Sequence, residues 1–208
     1  MKPRVAIFGA GFLGTHIAIE VIPLVSSILI VDREDIEPEN YENSIYPAGL
    51  IGHSKAKALA SLLTILTRKP TAVYKKDVNT IDDLDKIYDR HPFDIGILTF
   101  DNIYSRNLVL HWANARKIDL LSAGVTQNQA VVLWREQLAP ATEKEAEIIE
   151  KSARQVRDIC TRLEFRPMGA LVASLVFISL YKYTLTGKKT GYIAHINNGI
   201  KAYEVTCE

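Results

Sequence analysis

The residues of this chain with the clearest chemical meaning are three glycines and an acid. Gly9, Gly11 and Gly14 stand in a G-x-G-x-x-G spacing, with Phe12 and Leu13 inside it. Glycines so placed let the backbone turn tightly and approach a phosphate closely at a helix start, where N–H groups and the helix dipole favour an anion. Asp32 ends the next apolar run, and a carboxylate at a strand end can accept hydrogen bonds from ribose hydroxyls. These features predict nucleotide binding and do not separate NAD from ATP. A second group follows in Asp32-x-Glu34-x-Ile36, then Asn40, then Gly52-His53-Ser54-Lys55. A lysine beside a phosphate site neutralises charge as pyrophosphate leaves. Taken alone, Lys55 also reads as a solvated residue in the first turn of a helix, and Asn40 as a turn residue. A third group is Thr99-Phe100-Asp101-Asn102, with Arg106 one helical turn later. A carboxylate there could hold Mg²⁺ on a triphosphate, since Mg²⁺ favours one or two carboxylates plus phosphate oxygens. Asp101 could equally cap the helix that follows.

These groups need a frame. Arg4–Phe8 is a short apolar run entering the glycines, 15–24 has helical spacing, and Ser27–Val31 is a second apolar run ending on Asp32. That is strand, glycine turn, helix, strand, acid: a βαβ unit. Residues 34–52 read as a long loop. Helices are predicted over 54–66, 80–89 (capped by Thr80, with Asp82 and Asp83 in its first turn) and 104–116, and strands over 71–75, 94–99, 119–123 and 130–134. The charged stretch 140–162 reads as a surface helix or a mobile lid. An apolar helix over 168–185 closes at Gly187, and strands over 192–197 and 201–206 flank Asn198-Gly199, a hairpin signal. The predicted fold is a single α/β domain over 1–208: a Rossmann-type doubly wound, mostly parallel sheet with helices on both faces and a C-terminal β-hairpin.

Bulk properties exclude several classes. The 208 residues carry 25 Lys+Arg against 24 Asp+Glu, a net charge of +1, which argues against a nucleic-acid or membrane-surface binder. The apolar run at 168–181 is shorter than the roughly 20 residues that span a bilayer and reads as a buried helix. No cleavable signal pattern precedes the first strand, so a cytoplasmic location is expected. Cys160 and Cys207 form no CxxC pair, which speaks against a disulfide scaffold and a four-Cys zinc site.

In this order and combination, the motifs resemble those of the ThiF/MoeB/ubiquitin-activating-enzyme superfamily, over nearly the whole chain. Gly9, Gly11, Gly14, Asp32, Asn40, Lys55, Asp101, Asn102 and Arg106 fall on its pattern, and Leu121-Ser122-Ala123-Gly124 and Gly169-x-x-x-Ala173-Ser174 match its later elements. The resemblance implies an ATP-dependent adenylyltransferase that activates a carboxylate and releases pyrophosphate. Asp32 would hold the ribose, Lys55 and Asn40 the phosphates and Asp101 the Mg²⁺, with Gly9, Gly11, Phe12, Leu13, Gly14, Glu34 and Asn102 against the nucleotide. Arg106 and Asn43 are weaker substrate-contacting candidates, and an internal role suits Arg106 better. It further implies a homodimer acting on a ubiquitin-like carrier or a small-molecule carboxylate, with a thiol acceptor downstream. One zinc-free branch activates the guanylylpyridinol carboxylate in iron-only hydrogenase cofactor maturation. Where the family carries an Arg-Gln pair, this chain has Asn43 and Ser44. Either another cation compensates, with Arg33, Arg68 and Lys69 as candidates, or ATP turnover is impaired. Cys160 is a small apolar residue or a nucleophile. The alternatives are a non-catalytic nucleotide-binding partner subunit and an NAD-dependent oxidoreductase.

Overall fold

The computed structural model describes residues 2–126, 128–138, 163–197 and 199–206. The stretch at 140–162 with Cys160, as well as Asn198 and Cys207, lies outside the described residues.

Eight strands form one sheet in the order β3-β2-β1-β4-β5-β6-β7-β8. They are β1 (Arg4–Phe8), β2 (Ser27–Val31), β3 (Thr71–Tyr74), β4 (Ile95–Leu98), β5 (Asp119–Val125), β6 (Gln129–Trp134), β7 (Thr190–Asn197) and β8 (Gly199–Thr206). The first five in chain order are parallel, and β6, β7 and β8 add antiparallel at the β5 edge. The expected hairpin is therefore β7 and β8, and it continues the main sheet.

The central strands are apolar almost throughout because both of their faces are covered. Val5 and Ile7 of β1 join Ile28, Ile30, Ile95 and Ile97 in one core. Ala6 and Phe8 join Leu29, Val31 and Leu98 in the other. Helices α1 (Phe12–Val21), α3 (Lys55–Thr67) and α6 (Arg166–Thr186) cover the first face. Helices α4 (Ile81–Arg90) and α5 (Ile103–Arg116) cover the second. A single turn, α2 (Asn40–Asn43), interrupts the stretch expected to be loop.

Local signals explain the boundaries. Thr80 Oγ1 accepts from Asp83 N at 3.2 Å, and Asp83 Oδ2 accepts from Thr80 N at 3.0 Å, a reciprocal capping box. α6 stops at Gly187 with φ +71°, a left-handed cap that glycine adopts without steric penalty. By length and composition alone α6 could cross a membrane. Here Val172, Ala173, Val176 and Leu180 are buried against the sheet. Gly169 lets it approach α1, since a Cβ there would stand 2.7 Å from the Phe12 ring.

A buried relay then ties α6 to the added strands. Trp134 Nε1 donates to Ser179 Oγ at 2.8 Å, and Ser179 Oγ donates to Thr190 O at 2.6 Å. Ser179→Ala would leave a buried N–H and a buried carbonyl without these partners, so urea unfolding should show a loss of about 1–3 kcal/mol.

Candidate functional site

The strand order reverses between β1 and β4, and in such sheets ligands bind at the carboxyl ends flanking that point. The turn after β1, the acid loop after β2 and the segment after β4 all open there.

Two of the three glycines serve packing and one faces open space. Gly9 has φ +112°, and its N–H donates to Val31 O at 2.9 Å. A Cβ on Gly9 would lie 2.5 Å from Thr99 Oγ1, and one on Gly14 would lie 1.9 Å from Gly9 O. A Cβ on Gly11 would meet nothing within 4 Å. Gly11 is also the N-cap of α1, where no side chain caps the helix and no acid occupies the first turn. The first-turn N–H groups have no intrahelical acceptors and suit an anion. The side chains of Phe12 and Leu13 are buried in the core, so only their backbone can serve a nucleotide.

Asp32 is 8% exposed, and its carboxylate is clamped by two backbone amides. Ala10 N donates to Oδ2 at 2.6 Å and Glu34 N donates to Oδ1 at 2.7 Å. Burial raises the Asp32 pKa, against the pull of these amides and of Lys55. Each carboxylate oxygen keeps a further lone pair for a ribose hydroxyl.

Lys55 does not extend into solvent. It is 5% exposed, and its Nζ lies 2.6 Å from Glu34 Oε2. Lys55 N also donates to Glu34 O at 3.0 Å. Tyr46, which the sequence reading missed, is buried in this loop. Its hydroxyl lies 2.7 Å from Ala10 O and 3.1 Å from Lys55 O, and burial raises its pKa. The only sequence signal was an aromatic residue inside a Pro-, Asn- and Gly-rich loop.

Beyond β4, Asp101 is exposed, and among the described residues its carboxylate has no hydrogen bond or ion pair. The cap of α5 is Asn102, whose Oδ1 accepts from Tyr104 N at 2.8 Å and Ser105 N at 3.2 Å. Asp101 is thus not the cap that the sequence allowed it to be. Among the described residues no group of three His, Cys, Asp or Glu could hold a metal. One unengaged carboxylate fits a Mg²⁺ whose other ligands are phosphate oxygens and water. Arg106 is part-buried and donates to Phe100 O at 2.7 Å and to the Ser122 hydroxyl. Desolvation lowers its pKa to about 10, and it remains protonated at neutral pH. These bonds join the ends of β4 and β5; among the described residues Arg106 makes no ion pair, and the Asp101 charge acts on it from a longer distance.

Asn40 is half-buried, with Oδ1 accepting from Glu37 N at 2.9 Å. Asn43 is fully buried, and among the described residues neither its Nδ2 nor its Oδ1 has a hydrogen-bond partner. Its main-chain oxygen lies 3.0 Å from His16 Nε2, and Ser44 turns its hydroxyl onto Asn40 O. The cations considered for the missing arginine are paired elsewhere or lie far from the site. Arg33 pairs with Asp77 at 2.7 Å. Arg68 caps the far end of α3, and Lys69 Nζ donates to Val25 O at 2.8 Å. The thirteen residues of α3 separate these two from Lys55 by about 20 Å.

A glycine turn at a helix start, a clamped acid after β2 and an open carboxylate after β4 meet at one edge of a doubly wound α/β protein. The chain belongs to the ThiF family, whose pattern matches residues 1–206. No curated protein sequence matches it. Among solved structures, E. coli MccB with ATP is similar at a TM-score of 0.74 and 18% identity, covering 98% of this chain and 63% of that one. The microcin C7 biosynthetic enzyme MccB in complex with N-formylated MccA gives 0.74 and 18%, covering 98% and 64%. PaaA gives 0.71 and 16%, covering 98% and 72%. At these identities the likeness shows a shared fold, and this chain spans less than two-thirds of the MccB length.

Two outcomes follow from this geometry. Gly14→Ala should destabilise the protein by at least about 3 kcal/mol in urea unfolding, because backbone meets backbone. Gly11→Ala should leave stability within about 1 kcal/mol and weaken nucleotide binding in calorimetry. His16 gives a pH test. Burial lowers its pKa, Arg166 lowers it further, and the Asn43 carbonyl only partly offsets them. The folded state therefore binds fewer protons than the unfolded chain, so stability falls as pH drops below about 6.5, until the lowered folded value is passed. Melting curves of His16→Gln should lose this dependence.

Proposed function

We propose that this chain binds ATP at the carboxyl edge of β1, β2 and β4 and adenylates a carboxylate. One observation carries the reading: a buried lysine and an unengaged aspartate stand on either side of an uncapped, glycine-bounded helix start. Membership of the ThiF family supports it, as does a fold shared with a protein crystallised with ATP.

In this reading the α1 N-terminus and Gly11 receive the phosphates, and Asp32 orients the ribose. An oxygen of the substrate carboxylate attacks the α-phosphorus, the bond from that phosphorus to the bridging oxygen breaks, and pyrophosphate leaves. Lys55 offsets the charge developing on the departing oxygens, and positioning supplies much of the remainder. Asp101 would hold Mg²⁺ on the triphosphate, and Mg²⁺ supplies charge neutralisation when bound. The acid belongs to a small molecule or to the end of a ubiquitin-like carrier; a fold shared with MccB, solved in complex with N-formylated MccA, supports an acid held at this edge. A non-catalytic nucleotide-binding partner subunit is the second reading, favoured by Asn43 and Ser44 at the family's Arg-Gln positions. An NAD-dependent oxidoreductase leaves Lys55 and Asp101 without a task.

Thermal melts with ATP–Mg²⁺ and with NAD should show stabilisation by ATP alone. Asp101→Ala should abolish its Mg²⁺ dependence while changing the stability of the ligand-free protein by less than about 0.5 kcal/mol. Pyrophosphate exchange into ATP, stimulated by a carboxylic acid, completes the test. Stabilisation by NAD alone overturns the proposal, and ATP binding without exchange across an acid panel transfers support to the partner-subunit reading.

A further inference from the structure

The ion pair between Lys55 and Glu34 is asymmetric. The lysine side chain is 6% exposed and the glutamate side chain 54%. The lysine is held: its main chain sits at the start of α3, bonded to Glu34 O, and its side chain is buried. The glutamate backbone is equally fixed, with its N–H on Asp32 and its carbonyl on Lys55. Paired bonds Ile36 N to His53 O and Gly52 N to Ile36 O, both 2.8 Å, hold the two halves of the loop together. Only the Glu34 side chain can swing outward without disturbing this frame. The ammonium is thus a stationary charge whose present counter-ion is mobile.

We propose that Glu34 is a positioning residue that acts through Lys55, occupying the ammonium in place of phosphate when no nucleotide is bound. This rests on reading the edge as a phosphate site. The carboxylate keeps a buried cation from standing unpaired, which would be costly. It holds the ammonium beside the glycine turn, so the charge is in place before the ligand arrives. It also competes with the triphosphate and, after transfer, helps pyrophosphate to leave. As a direct nucleotide contact, the role the sequence suggested, Glu34 would act with the opposite sign: it would add affinity, whereas a competitor subtracts it.

That sign is the test. Calorimetric titrations of the full chain with inorganic pyrophosphate and with ATP, in a chelator so that no metal contributes, compare wild type, Glu34→Gln, Glu34→Ala, Lys55→Met and the Glu34→Gln/Lys55→Met double variant. Both Glu34 variants should bind both ligands roughly three- to tenfold more tightly. The gain should vanish in the Lys55→Met background, as a coupled pair requires. In pyrophosphate exchange, Glu34→Gln should lower the KM for ATP and lower kcat, a split that a structural role would not give. Weaker or unchanged pyrophosphate binding in the Glu34 variants overturns the proposal. Weaker ATP binding with unchanged pyrophosphate binding overturns it in favour of a ribose contact. If wild type binds neither ligand, the phosphate-site reading itself has failed, a result distinct from a wrong sign in the variants.

Discussion

The site depends first on one buried charge. Asp32 is removed from water at the end of β2 and must have donors in compensation. It receives them from Ala10 and Glu34, one on each of the segments that would flank a nucleotide. The bonds then run in a closed circuit. Ala10 O and Lys55 O both face the Tyr46 hydroxyl, Lys55 N returns to Glu34 O, and Glu34 N returns to Asp32. Five residues from three chain segments are fixed in mutual position by these bonds. Such networks hold firmly when every member is satisfied.

The other half of the site is arranged differently. Arg106 fastens the ends of β4 and β5 through carbonyls and a hydroxyl, and Asn102 secures the start of α5. Asp101 lies between these anchors and hydrogen-bonds to neither, though its charge is felt by Arg106. Around Gly11 and Asp101 the first-turn amides and the carboxylate are left open, while each Asp32 oxygen already carries one backbone bond and keeps one lone pair.

Much of this was legible in the sequence because it follows from local rules. The alternating apolar runs, the Thr80 capping box and the glycine spacing need only neighbouring residues to be interpreted, and each fell where expected. The unread parts depend on residues far apart in the chain. Lys55 reads as solvated until the 34–36 segment folds back over it. Arg106 reads as a substrate contact or an ion-paired residue until β5 supplies acceptors. Asn43 reads as a weak substrate contact until folding buries its side chain completely. The 34–52 loop reads as irregular because Ile36 and Tyr46, its two buried anchors, are separated by polar residues with no period.

Thr99 Oγ1 lies 3.0 Å from Phe8 O and 3.1 Å from Gly9 O, across 91 and 90 residues of chain. This contact sets an order of events during synthesis. A nascent chain that has emerged only as far as β3 already carries the glycine turn, Asp32 and Lys55, but lacks the strand that closes the turn from its other side. Non-local pairing of this kind forms late, after the entropy of closing the intervening chain has been overcome. The first βαβ unit therefore cannot complete its glycine turn until β4 has been made. The turn belongs to the completed sheet and not to its precursors.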